Sequence, residues 1–100
     1  MNSKIENQIL KFIGNKKIIE RKILSSAFNI NCEKIKLNNN NIFIAKYYNK
    51  KNNIFNSIKS EINSLIFLNK IIPSIFPLLK FYSDDLMIIN YIDHNNLKGK

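Results

Sequence analysis

The sequence predicts an α+β domain, a five-stranded antiparallel sheet with one long helix packed on it and a short N-terminal helix. Three observations predict it. Apolar residues recur at helical spacing in two stretches, 3–13 and 54–70. Apolar and polar residues alternate, with β-branched residues enriched, in three runs between 17 and 48, and two more apolar runs follow between 78 and 92. Consecutive strands are joined by short turns, which implies antiparallel pairing.

The elements follow in order. Ser3-Lys4-Ile5-Glu6 reads as a capping box, with Ser3 capping the amide of Glu6 and Glu6 reaching back. Ile5, Ile9, Phe12 and Ile13 then share a helical face, with Leu10 at its border, and Gly14-Asn15 is a C-terminal stop. In 17–24, Ile19, Arg21 and Ile23 alternate with Ile18, Glu20, Lys22 and Leu24, as in a half-exposed strand. Ser25-Ser26-Ala27 is a small-residue break. Alternation resumes over 31–37, with Glu33, Ile35 and Leu37 on one face and Lys34 and Lys36 on the other.

Four asparagines, 38–41, suit a hairpin loop, because Asn tolerates left-handed backbone and forms side-chain turns. The third strand, 42–48, sets Ile42, Ile44 and Lys46 against Phe43, Ala45 and Tyr47. A polar loop, 50–53, leads to the long helix, where Ile58, Ile62, Leu65 and Ile66 form the apolar stripe. Pro73 ends the helical region and Pro77 keeps the next segment extended. Strands at 78–82 and 86–92 flank the turn Ser83-Asp84-Asp85. Two adjacent acids in such a turn point to opposite sides, so the pair is a turn signal and not a metal site. Residues 93–100 are a polar linker.

The 100 residues make one domain, with a net charge of +9. Only Arg21 of its sixteen basic residues is an arginine, and the lysines are spread along the chain. That weighs against nucleic-acid reading, which favours Arg. A small basic nucleic-acid-binding or protein-interaction module remains the alternative reading. Cys32 and His94 are each the sole residue of their type, so neither a disulfide framework nor a zinc site can be built within the chain. Neither has a partner for nucleophilic chemistry. A single cysteine fits a reducing, cytoplasmic setting. Residues 1–14 lack the apolar core of a signal peptide, and no run is long enough to span a membrane.

Two opposite charges stand among apolar residues. Lys46 follows Ile44-Ala45 near the end of a strand. Glu61 lies three residues after Ile58 and four before Leu65, on or beside the helix stripe. A charge there is costly unless paired. The plainer reading puts Lys46 in water at an edge strand and Glu61 at the rim of its helix.

The order of these features resembles the N-terminal lobe of the protein-kinase-like fold, and among its members the fructosamine kinase and aminoglycoside phosphotransferase families. The resemblance rests on Ile44-Ala45-Lys46, on Ile58-Lys59-Ser60-Glu61 and on Met87-Ile88-Ile89-Asn90-Tyr91-Ile92 as a hinge, and it covers about 17–96. It implies that Lys46 holds the α- and β-phosphates of ATP and that Glu61 holds Lys46. It implies that backbone groups of Asn90 and Ile92 hold the adenine. Ser25-Ser26-Ala27-Phe28 would be the phosphate-covering loop, without the glycines usual there, so Ser25 and Ser26 are its candidate phosphate contacts. The family reaction is ATP-dependent phosphorylation of a sugar-like hydroxyl with Mg2+. Its catalytic base and metal ligands lie in a second, helical lobe. The expectation is therefore a nucleotide-binding lobe, truncated and not catalytic alone, with no catalytic or metal-binding residue of its own. Its partners would be a nucleotide and a missing C-lobe or second chain.

Overall fold

A computed structural model describes residues 3–27, 29–48, 57–74 and 77–91. Its elements are α1 (Ser3–Ile13), β1 (Ile18–Ala27), β2 (Ile30–Leu37), β3 (Ile42–Tyr48), α2 (Ser57–Ile71), β4 (Leu79–Tyr82) and β5 (Leu86–Asn90). The five strands form one sheet in the order β1-β2-β3-β5-β4, with every neighbouring pair antiparallel. The expected α+β class is the observed one. Positions 50–53, Phe28, Ile92 and the linker 93–100 lie outside the described residues, as do 54–56 at the expected start of the long helix.

The two helices cover opposite faces of the sheet. Ile5, Ile9 and Ile13 of α1 pack with Ile35, Leu37, Phe43, Ala45, Tyr47, Leu86 and Ile88. Ile58, Ile62 and Leu65 of α2 pack with Ile44, Met87 and Ile89. Burying each isoleucine stabilises the fold by roughly 2 kcal/mol. The short N-terminal helix is thus half of a two-sided core. On β3 the alternation falls as the sequence predicts, Phe43, Ala45 and Tyr47 toward α1 and Ile44 toward α2. The apolar stripe of α2 is wider than the sheet can cover: Phe67 is 62% exposed and Ile71 58%.

Local signals account for the boundaries. Gly14 takes φ +68° after α1, a conformation open to glycine without a Cβ penalty. The β2–β3 turn is closed by bonds from Asn40 N to Leu37 O (2.9 Å) and from Leu37 N to Asn41 O (2.9 Å). Asn40 is left-handed at φ 70°, as the asparagine run predicts. The amide of Ile58 donates to Tyr48 Oη at 3.0 Å, which caps the first turn of α2 from the end of β3. Asn69 ties α2 to the sheet edge: its Oδ1 accepts from Leu79 N (2.8 Å) and its Nδ2 donates to Pro77 O (3.3 Å).

Three expectations are corrected. Ser25-Ser26-Ala27 is not a break but the end of β1, paired with Cys32, Asn31 and Ile30, so the hairpin closes through residues 28 and 29 alone. Asn29, at φ 65°, supplies the left-handed position that lets a turn this tight reverse the chain. The even alternation expected along β1 is broken at Ile19 and Leu24, which have no register partner. Such bulges shift side chains between faces: Ile18 joins the α1 core, while Glu20 and Lys22 pair with Lys36 and Lys34 on the other face. Finally, Glu6 does not fold back on the helix start. Arg21 Nη1 holds it at 2.9 and 2.7 Å.

That last contact belongs to a cluster beneath α1. Arg21 also donates from Nε and Nη2 to Glu33, at 2.6 and 2.9 Å, and Tyr47 Oη donates to Glu33 at 3.0 Å. Glu33 is only 3% exposed, so its charge depends on these donors. The carboxylates hold the Arg21 guanidinium far above its ordinary range, Glu33 contributing most. Burial pushes the Tyr47 phenol up, and Glu33 beside it adds to the rise. Replacing Arg21 by Ala would strand Glu33 and cost about 3 kcal/mol. Urea unfolding of R21A measures this, and a midpoint close to that of the wild type would mean Glu33 is satisfied without Arg21.

Candidate nucleotide cleft

Between the β1–β2 hairpin, β3 and the end of β5 lies an open cleft of about 430 Å³. Its lining follows from register. Side chains two apart on a strand share a face, and paired residues lie side by side. Cys32 pairs with Lys46, and Lys34 pairs with Ile44, which pairs with Ile89. Lys22 pairs with Lys34. All of these line the cleft, joined by the bulge residue Leu24 and by Pro77, Asn90 and Tyr91. The middle is apolar, from Leu24, Ile44 and Ile89. Lys34 Nζ sits 4.6 Å from the centre of the Tyr91 ring, a cation–π contact.

Lys46 and Glu61 meet as the sequence predicts. Lys46 Nζ lies 2.9 Å from Glu61 Oε2 and 3.3 Å from Oε1. The side chains are 27% and 40% exposed, so the pair is at the border of the core and open to a ligand. Solvent screening at that exposure makes it a weak source of stability. Its effect is positional: Glu61, one turn from the buried Ile58 and Leu65, fixes an ammonium that ends in the cleft. Lys46 is not at an edge, since β3 is the middle strand.

The remaining predicted positions divide. Ser25 pairs with Cys32 and so sits on the cleft face. Ser26 is one residue out of step, pairs with Asn31 and gives its hydroxyl to Asn31 Oδ1 at 2.7 Å. It faces away from Lys46. The amide of Asn90 donates to Leu78 O (3.1 Å), and its Oδ1 accepts from Leu78 N (2.6 Å). Asn90 therefore clamps the residue before β4, and its backbone amide is already spent on Leu78. Ile92 lies outside the described residues. Asp85, in the expected turn, pairs with Lys4 at 2.9 Å and not with a neighbouring acid.

Sequence reasoning missed Lys22, Leu24, Cys32 and Lys34 as cleft residues. The signal was there in part: Cys32 and Lys34 are in step with Lys46 through a single hairpin. On β1 the bulges conceal it. Burial pushes the Cys32 thiol up, more strongly than nearby Lys46 draws it down.

The lining suits an anionic ligand with an apolar part, since ammonium groups stand beside apolar side chains. It does not suit Mg2+. Among the described residues no three His, Cys, Asp or Glu side chains lie together, and Glu61 is already engaged by Lys46. In the same set no helix is long and apolar enough to cross a membrane.

Because burial raises the Cys32 thiol, it carries less thiolate than a free cysteine, and iodoacetamide should modify it more slowly until the pH rises past its own, raised value. Rates of mass gain from pH 7 to 10 test this, and modification at the rate of a free cysteine at pH 7 would contradict it. Compared with protein-family models, curated proteins and solved structures, the chain matches none.

Proposed function

We propose that this chain is an ATP-binding lobe resembling the N-terminal lobe of fructosamine kinases and aminoglycoside phosphotransferases. The observation that carries the reading is the Lys46–Glu61 pair, a glutamate-held lysine on the middle strand that ends in a cleft with apolar walls. The chemistry accounts for each part. A lysine that grips phosphate needs a fixed partner, or it swings away when the ligand leaves. Glu61 is that partner. Leu24, Ile44 and Ile89 give the cleft an apolar lining against which a base could lie.

The role proposed for this chain is binding. Among the described residues the lining holds lysines and a cysteine, and the carboxylate nearest it, Glu61, is engaged by Lys46. In complete enzymes of the kind it resembles, phosphoryl transfer from ATP to a sugar-like hydroxyl needs a second lobe, which supplies the base and the magnesium ligands. A C-lobe, covalent or separate, is accordingly the proposed partner, and the cytoplasm, where ATP is abundant, the proposed compartment.

The test is thermal unfolding with and without millimolar ATP. ATP should raise the midpoint of the wild type by a few degrees. Lys46→Ala should abolish the rise while leaving the unliganded midpoint nearly unchanged, since the pair is partly exposed. Glu61→Gln should reduce the rise without removing it. A folded wild type that ATP does not stabilise would overturn the reading.

A further inference from the structure

Among the described residues three lysines line the cleft, and one carboxylate, Glu61, pairs with one of them. Lys22 and Lys34 face each other across β1 and β2, an arrangement that costs stability because like charges are directly opposed. Lys34 is one strand from Ile44, and Lys46 lies two residues further along the same face, beside Cys32. The three ammonium groups therefore occupy two adjacent rows of one surface, and all three side chains line the cleft. Glu61 partners Lys46. Lys34 leans on the Tyr91 ring, which favours a cation without neutralising it. Glu20, the nearest acid on that face of β1, is opposite Lys36 and one row away. The cleft thus holds an excess of positive charge in a concave site, where fields are focused.

The kind of nucleotide site proposed above ordinarily needs a divalent metal to offset phosphate charge. Here the donor set does not fit one, and the ammonium groups supply the same charge. We propose that the cleft binds the polyphosphate of its nucleotide as the metal-free anion, neutralised by Lys22, Lys34 and Lys46. This rests on the nucleotide reading and specifies the ligand of this chain by itself as free ATP, the magnesium ligands of a complete enzyme coming from the second lobe. The hairpin, which lacks glycines at Ser25, Ser26 and Ala27, then contributes through lysine side chains what a glycine loop contributes through backbone amides. An ammonium on a long stem needs no close backbone approach. Magnesium would draw the phosphates' charge away from the lysines, so it should weaken binding.

Calorimetric titration of the full chain with ATP tests this, once in EDTA and once in excess Mg2+. Free ATP should bind at least as tightly as MgATP, and its affinity should fall steeply with added salt. The double variant Lys22→Gln, Lys34→Gln should lose about tenfold in affinity for free ATP. Both positions are on the surface side of the sheet, and circular dichroism checks that the variant stays folded. Binding that needs Mg2+, or an unchanged affinity in the folded double variant, overturns the metal-free clamp and leaves the nucleotide site standing. Absence of ATP binding in either condition overturns both.

Discussion

The two-sided burial of β3 is the constraint on which the rest depends. As the middle strand it is covered on both faces, by α1 over Phe43, Ala45 and Tyr47 and by α2 over Ile44. Each charge near it must therefore be answered. Lys46 stands on the α2 face, where that helix supplies Glu61. Glu33, one strand away on the other face, is answered by Arg21 and Tyr47, and the same guanidinium reaches α1 through Glu6. Among the described residues each face thus has an ionic contact joining its helix to a strand.

The two contacts differ in consequence because they differ in burial. The Glu33 cluster is closed, with nearly every acceptor of a buried carboxylate filled by a guanidinium or a phenol. It holds the fold and has little left to offer a ligand. The Lys46–Glu61 pair is partly open and ends in a cleft. It adds little stability, and it keeps an ammonium in place for something that arrives from outside. The same contrast separates scaffold from candidate site.

Much of this was legible in the sequence, for physical reasons. The spacing of Ile5, Ile9 and Ile13 and the alternation over 42–48 report burial directly, so both elements fall where the pattern puts them. The asparagine run marks its hairpin because left-handed backbone is needed there. Lys46 and Glu61 stood out because charge on an apolar element calls for a partner. What the sequence hid was set by single-residue shifts. The bulges at Ile19 and Leu24 change which face each β1 side chain takes, and no residue pattern announces them. Ser25 and Ser26 read as a break because small polar residues favour turns, yet ladder pairing to Cys32 and Asn31 overrides that preference. Glu6 read as a local cap because the capping box is a local motif, whereas Arg21, fifteen residues on, is a stronger partner.

Under the proposal above, Lys46, Glu61 and the apolar walls beside them form one nucleotide site. Amide chemical shifts of the nitrogen-15-labelled protein, followed as ATP is added, test it most directly. The largest changes should cluster at Leu24, Cys32, Ile44, Lys46 and Ile89, saturate together and leave α1 unmoved. Changes scattered among surface lysines, or gathered on the α1 face, would contradict it.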